Sequence, residues 1–348
     1  MNYPRFSEKN KSLLKKHLNR EIFNHLKTKK TQSGFTLFHA IQSGIVNQDS
    51  SVGIYAGSAE AYKTFAEIFN PIISDYHSFD LKNFHRSDLS LDLKLTDPDP
   101  ENQYIISTRI RAARNITGFD FTPFISARAR KQLELKVVKA LKQLKITDKN
   151  LKGRYMSLQN ISESEQISLT KKHLLFSGKD RFQNAAGIES NWPESRGIFL
   201  SDDEKLIVWV NEEDHLRIIS MEKGGKIAET FNRLCILLSA LEKNIAFSFD
   251  PHLGYLTSCP TNLGTGIRAG VHIRLPALNG NKELLFKLAD SFNLQVRGTR
   301  GEKTDVENYI FDLSNRQRLG ITEKQCIKNL HRGISAIIAL EKQLAKVH

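Results

Sequence analysis

Cysteine is scarce in this chain, with three residues in 348. Cys235, Cys259 and Cys326 are odd in number, far apart, and never paired at metal-ligand spacing. That pattern fits a reducing, cytoplasmic setting better than a disulfide framework. His215 stands among acids, yet no second histidine lies at ligand spacing, so no transition-metal site is expected. No apolar run approaches the ~20 residues of a membrane-spanning helix. The pattern G-x-x-x-x-G-K followed by Ser or Thr is missing, which excludes a P-loop. The glycine-rich loop, HRD and DFG set of protein kinases is missing too. No internal repeat or low-complexity segment stands out.

Acid is in short supply: 38 Asp and Glu against 51 Lys and Arg leave a net charge of +13. Such a balance implies an acidic partner. The lysines read as scattered, however, and the conspicuous arginines each sit in a separate motif. A small polyanion such as ATP is therefore expected, with no nucleic acid and no membrane, and the surface lysines keep no account. The lysine-rich start, with Leu14, Leu18, Ile22 and Leu26 at helical spacing, reads as a surface helix and not as a transit peptide. Hydrophobic content of 40% and charged content of 26% are ordinary for a soluble protein. A chain of this length suggests two domains or one large one.

Residues 12–90 read as mostly helical. Ser58 is an N-cap candidate, and Tyr62, Phe65, Ala66 and Phe69 form a stripe expected to end before Pro71. Pro98 and Pro100 mark a linker across 77–103. Beyond it the pattern mixes strands and helices. Tyr104–Thr108 reads as a strand, Leu133, Val137, Leu141 and Leu144 as a helix stripe, and Lys205–Val210 as a strand buried on both faces. Leu216–Met221 is its expected hairpin partner across a polar turn. A long helix follows Gly224–Gly225, Val271–Leu275 is another strand, and Leu284, Leu285, Leu288 and Phe292 mark a further helix. Thr322 with Gln325 forms a capping box for a last helix. Strands mixed with long helices give an α+β class.

Four polar stretches carry the chemistry. In Ser258–Arg268, Cys259 precedes Pro260 and is held extended, and the small residues after it can aim N–H groups at an anion. The others are Ser107–Arg111, Asn211–Arg217 and Arg297–Glu302. Arg109, Arg111, Arg217, Arg268 and Arg297 are candidates to hold phosphates, because a guanidinium fork bridges two of them and stays charged. Taken singly, each also reads as a solvated arginine at a strand end. Glu212, Glu213 and Asp214 read either as a solvated turn or as a general base and anchor for a cationic substrate. Cys259 reads as a packed thiol or a reactive one, without the surroundings of a hydrolase triad. Cys235, Cys326 and Trp209 read as core.

The runs CPTNLGT (259–265), NEEDHLRIIS (211–220) and QVRGTRGE (295–302) resemble the phosphagen (ATP:guanidino) kinases, among them most closely the arginine kinases. The likeness is collinear from about residue 10 to the C-terminus. It implies a small all-helical N-terminal domain, residues 1–90, and a larger domain, residues 91–348, whose antiparallel sheet is flanked by helices. It implies reversible transfer of the ATP γ-phosphoryl group to the guanidinium of L-arginine, giving ADP. Ser107, Arg109, Arg111, His173, Arg217, Arg268 and Arg297 would hold the nucleotide. Glu213 and Glu302 would grip the guanidinium, with Arg217 at the reacting phosphate. Cys259 would assist as a thiolate, lowered by neighbouring positive charge and never covalently bonded to substrate. Ser50, Val52, Gly53 and Tyr55 would receive the far end of the arginine. Ser51 stands where glycine is expected, a cost if that position needs positive φ. Mg²⁺ would arrive on the nucleotide, held by phosphates and water, with no protein metal site. Closure of loops around 50–55 and 297–307 would exclude water, and the chain would be a monomer or homodimer. Taurocyamine or lombricine as substrate is the nearest alternative, and a non-catalytic polyanion-binding module is a different class.

Overall fold

Polar caps and buried stripes set the first elements of the fold, seen here in a computed structural model that describes residues 2–147, 151–299 and 306–346. The N-terminal part holds helices α1 (Leu13–His17), α2 (Arg20–Leu26), α3 (Leu37–Val46), α4 (Ala59–Thr64) and α5 (Ala66–His77). Ser12, Asn19 and Ser58 cap α1, α2 and α4 by accepting N–H groups of Lys15, Ile22 and Ala61. The stripe expected to end before Pro71 does not end there. The chain breaks earlier, at Phe65, and α5 then runs through Pro71 to His77. Ile68, Phe69, Ile72 and Ile73 are fully buried on one side of that helix, and their packing outweighs the backbone bond lost at proline.

An irregular stretch, 78–104, leads to the larger part. It lies against that part's helices: Asn232 donates to the Leu93 carbonyl, and the His331 ring pairs with the Thr96 carbonyl. The Asp99 carboxylate accepts N–H groups of Tyr104 and Ile105 and so starts the first strand. We propose that the domain boundary lies in this stretch, near residue 90.

The strands are β1 (Ile105–Arg114), β2 (Gly153–Ser157), β3 (Gly197–Ser201), β4 (Leu206–Val210), β5 (Leu216–Lys223), β6 (Phe249–Asp250), β7 (Gly254–Tyr255), β8 (Ile267–Arg274), β9 (Leu294–Arg297) and β10 (Ile310–Asn315). Between and after them come α6 (Ala127–Thr147), α7 (Glu163–Lys171), α8 (Arg181–Ala185), α9 (Ile227–Glu242), α10 (Pro276–Asn279), α11 (Lys282–Ser291) and α12 (Glu323–Ala345). Eight strands form one antiparallel sheet in the order β2-β3-β4-β5-β1-β8-β10-β9; β6 and β7 pair separately. The β4–β5 hairpin crosses the Asn211–His215 turn as expected, and every residue of β4 is buried. The Thr322–Gln325 capping box opens α12.

Side chains alternate across a strand, so register sorts this sheet into two chemistries. Ile110 and Ala112 of β1 share a face with Val208, Val210, Ile218, Ala269, Val271 and Leu313, and this face packs on α6, α9 and α12 as the main core. The intervening residues turn the other way; the arginines are among them, beside an apolar cluster that includes Ile207, Trp209 and Ile219. Cys235 and Cys326 lie buried under the helices, as expected, and burial pushes both thiols up to about 12. No helix among the described residues is long and apolar enough to cross a membrane.

Candidate active site

Strand β1 runs through the centre of the sheet and continues to Arg114, so Arg109 and Arg111 sit within it and not at its end. Arg111 lies opposite Arg268 on β8, and the neighbouring Ala113 lies opposite Arg217 on β5. Arg297 on β9 lies opposite Asp312 on β10, which in turn faces His272 on β8. The five arginines therefore share one face. Their charges crowd: burial, then Arg217 and Arg268, push the Arg109 guanidinium down to about 10, and the same causes push Arg111 well below its usual range. Nε and Nη2 of Arg109 are buried without a hydrogen-bond partner. A buried cation left with free donors fits an anion with several oxygens, and a polyphosphate has that form.

Trp209 backs this face. Arg109 and Arg217 each stack on its indole at 5.7 Å, while its Nε1 donates to the Leu174 carbonyl at 2.8 Å. Expected as core alone, it is both core and platform. Asp312 was not anticipated; it pairs with Arg268 at 2.5 Å and lies on a strand whose mixed sequence carries little β signal. His173 follows α7 with φ +56°; Ser107 lies opposite His272 in the β1–β8 ladder. Nη2 of Arg297 donates to Gln295 at 2.8 Å. Glu302 lies outside the described residues.

The acidic edge of the site is the β4–β5 turn. Asn211 takes φ +59, a left-handed conformation that asparagine tolerates, and so reverses the chain. Arg217 bridges Glu212 at 3.0 Å and Glu213 at 2.6 Å. Burial pushes the Glu213 carboxyl up to about 7 against the pull of Arg217, with Glu212 and Asp214 adding to the rise. Asp214 accepts from the Ser258 N–H at 2.6 Å and from Asn115 Nδ2 at 2.7 Å, fixing this turn to the cysteine segment. His215 is a buried structural residue: its Nδ1 accepts the Ile116 N–H and its Nε2 donates to the Asp120 carbonyl, with the ring pushed down to about 3 by burial.

Cys259 has the expected extended backbone (φ −93°, ψ 125°) before Pro260, which opens a 3₁₀ turn at Pro260–Asn262. Its thiol departs from expectation. Burial first, and the Glu213 carboxylate next, push it up to about 12 where a lowered value was expected. The charges that reach it are Glu213 and Asp214, whereas the arginines face each other across the sheet.

The loop at 50–55 comes in from the N-terminal part. Gly53 has φ +82°, and Ser51 is not in the left-handed region, so serine there carries no backbone penalty. Gly44 packs so closely on Gly53 that a Cβ would meet the Gly53 carbonyl at 2.3 Å. The Ser50 N–H is donated to Asn47 O at 3.0 Å and is thus already satisfied within the loop. Val52 is buried, and its carbonyl accepts the Leu14 N–H. The Tyr55 phenol is pushed up by burial and then by Cys259 and Glu213, and the next residue, Ala56, donates its N–H to the Ser258 carbonyl at 2.7 Å, so this loop adjoins the cysteine segment. A cavity of about 310 Å³ adjoins Arg217 and Glu212, walled by Phe176, Gly178 and Trp192.

A face of guanidinium groups beside a carboxylate poised near neutrality suits phosphoryl transfer without a P-loop, and comparison with known proteins agrees. Residues 132–344 match the ATP:guanido phosphotransferase C-terminal catalytic domain, and residues 8–74 match the N-terminal domain of the same enzymes. The chain belongs to the ATP:guanido phosphotransferase family and is a phosphotransferase. It is 47% identical to an arginine kinase of Penaeus vannamei over 96% of this chain and 94% of that protein. Identity to an arginine kinase of Limulus polyphemus is likewise 47%, with the same coverage. Among solved structures, a lombricine kinase superposes with a TM-score of 0.93 at 31% identity, covering 99% of this chain and 95% of the other. The duplicated taurocyamine kinase of Schistosoma mansoni superposes with a TM-score of 0.91 at 35% identity; 98% of this chain matches 48% of that longer one.

Proposed function

We propose that the chain is an arginine kinase, moving the γ-phosphoryl group of ATP reversibly to the guanidinium of L-arginine. The observation that carries this reading is the joining of three segments beside the arginine face: Ala56, next to Tyr55, donates its N–H to the carbonyl of Ser258, next to Cys259, at 2.7 Å, Ser258 donates to Asp214 at 2.6 Å, and the adjacent Glu213 pairs with Arg217 at 2.6 Å. A guanidinium is protonated and delocalised, hence a poor nucleophile. Glu213, held by Arg217, would pair with its N–H groups and take one proton as the N–P bond forms and the bond to ADP breaks. A carboxyl near 7 suits that task at neutral pH. Arg109, Arg111, Arg217, Arg268 and Arg297 would spread the charge of the moving phosphoryl group, with Ser107 and His173 at the nucleotide. Mg²⁺ would travel on the phosphates and their water. Glu302 would supply a second carboxylate, and Val52, Gly53 and Tyr55 would meet the carboxylate and amino end of arginine.

Cys259 would act on the bound guanidinium, whose positive charge opposes the rise that Glu213 imposes on the thiol. Identity of 47% to arginine kinases, against 31–35% to the lombricine and taurocyamine kinases, favours arginine as substrate. Three buried free cysteines favour a cytoplasmic setting. The test is a coupled ADP-release assay over a panel of guanidino compounds. Arginine should be fastest, and a clear preference for taurocyamine or lombricine would move the substrate assignment within the same family.

A further inference from the structure

The excess of lysine and arginine is not scattered along the chain. Residues 1–30 hold nine Lys and Arg against two acids, and α6 holds seven against one. Those two segments together account for the whole excess of thirteen, and the rest of the chain balances. The stretch that follows the first segment touches the stretch that leads into α6. The Phe35 ring contacts Phe124 at 5.3 Å, and Ser33 donates to Asp120 at 2.8 Å. Lys30 is bridged to Thr36 on one side of this junction, and Arg128 begins the exposed side of α6 on the other.

The surface of α6 is one-signed. Arg128, Lys131, Lys136, Lys139 and Lys142 are all exposed and recur at helical spacing, so they form a ridge roughly 20 Å long. No acid lies on that ridge: Glu134, the acid of α6, is buried and takes Lys131 from the side. Leu135 stands in the middle of it, 58% exposed. Lys16 and Lys29, in the N-terminal segment, pair with Asp75 and Glu67 at the surface. The opposite side of α6 packs on the apolar sheet face, away from the arginine site.

We propose that this basic surface docks the enzyme on an anionic lipid bilayer. The charge is mostly lysine, a hydrated point charge that suits a fluid layer of headgroups better than bidentate reading of nucleic acid. No aromatic side chain stands on the α6 ridge to stack on a base, whereas the exposed Leu135 can enter the headgroup boundary. Docked this way, the chain would present its helical layer to the membrane and keep the arginine face towards solvent.

The experiment is co-sedimentation of the full-length protein with phosphatidylcholine vesicles, with and without about one-third phosphatidylserine, at ~0.1 M salt. The expected result is binding to the anionic vesicles alone, lost at high salt. The triple variant Lys136→Gln, Lys139→Gln, Lys142→Gln should bind about 10²-fold more weakly, at about fivefold per residue, with kinase turnover unchanged. Equal binding to neutral vesicles, or wild-type binding by the variant, would overturn the proposal. So would duplex RNA binding the protein while anionic vesicles fail to. A change in guanidino preference in the assay above would bear on the substrate and leave this surface untouched.

Discussion

The Asp214 carboxylate accepts the backbone N–H of Ser258 at 2.6 Å, and through this bond the β4–β5 turn carries the segment that holds Cys259. The neighbouring Glu213 is placed by the same turn, and Thr122 donates to the Glu213 carbonyl from a third loop. Geometry at Glu213 and Cys259 therefore depends on a buried residue that itself performs no chemistry. Asp214→Ala would orphan the Ser258 N–H and take one of the two acceptors of the Asn115 amide, leaving it the Leu256 carbonyl. The expected cost is about 1–3 kcal/mol of stability, with turnover falling alongside it. Thermal unfolding together with kcat checks this; a stable variant with full turnover would show that the turn holds itself.

Glu213→Gln keeps the shape and removes the proposed base. Turnover should fall by roughly 10²–10⁴ while ATP binding persists, as steady-state kinetics and nucleotide titration would show. In the unaltered protein the base must be ionised, so forward turnover should rise with pH through about 7. That limb should vanish in the glutamine variant.

Stability should move the opposite way with pH at this residue. The folded-state value, about 7, lies above the ordinary glutamate value of 4.5, so the folded state binds the proton more tightly than the unfolded chain. This contribution is full below pH 4.5 and lost as pH rises through 7. Relative to the parent, Glu213→Gln should therefore melt higher at pH 8 than at pH 5. Equal shifts at both pH values would mean that the carboxyl is not held up in the folded protein.

Arg268→Lys should fold normally and lose about 10²–10³ in turnover, as removal of one preorganised donor does elsewhere. Lysine keeps the charge and forfeits the fork that meets Asp312 and that, on the proposed reading, would also meet phosphate. Circular dichroism and kcat together decide: unfolded protein would assign Arg268 to structure, and full activity would remove it from the phosphate site.

Cys259→Ser should retain part of the rate, because the arginine face and Glu213 stay in place. Single-turnover mixing with ATP alone should leave no phosphorylated cysteine. A trapped phosphocysteine in intact-mass or peptide analysis would replace direct transfer with a two-step path.

Local signals in the sequence were read where one element decides its own fate. Ser58 caps α4, the apolar run of β4 is buried on both faces, and Thr322 with Gln325 opens α12. Pro71 misled because burial of Ile68, Phe69, Ile72 and Ile73 outweighs the local preference. β2, β3, β9 and β10 escaped notice, being short and bounded by turns with little pattern. Site motifs were legible as motifs, but their meeting was not. Arg111 and Arg268 are joined by register, Asp312 by a strand with no outward sign, and Tyr55 by the docking of a distant loop. The rise of the Cys259 thiol needed three dimensions as well, since it comes from Glu213 and burial.

Trp209 lies under two of the arginines, at 5.7 Å from each. Indole emission responds to nearby charge and to the ordering of its surroundings, so the proposed phosphate site carries its own optical reporter. The sequence contains one other tryptophan, Trp192, which lines the adjoining cavity. Replacing it with phenylalanine leaves a protein whose fluorescence comes from Trp209 alone. Nucleotide arrival could then be timed directly, in a stopped-flow instrument, without any label and apart from the chemical step.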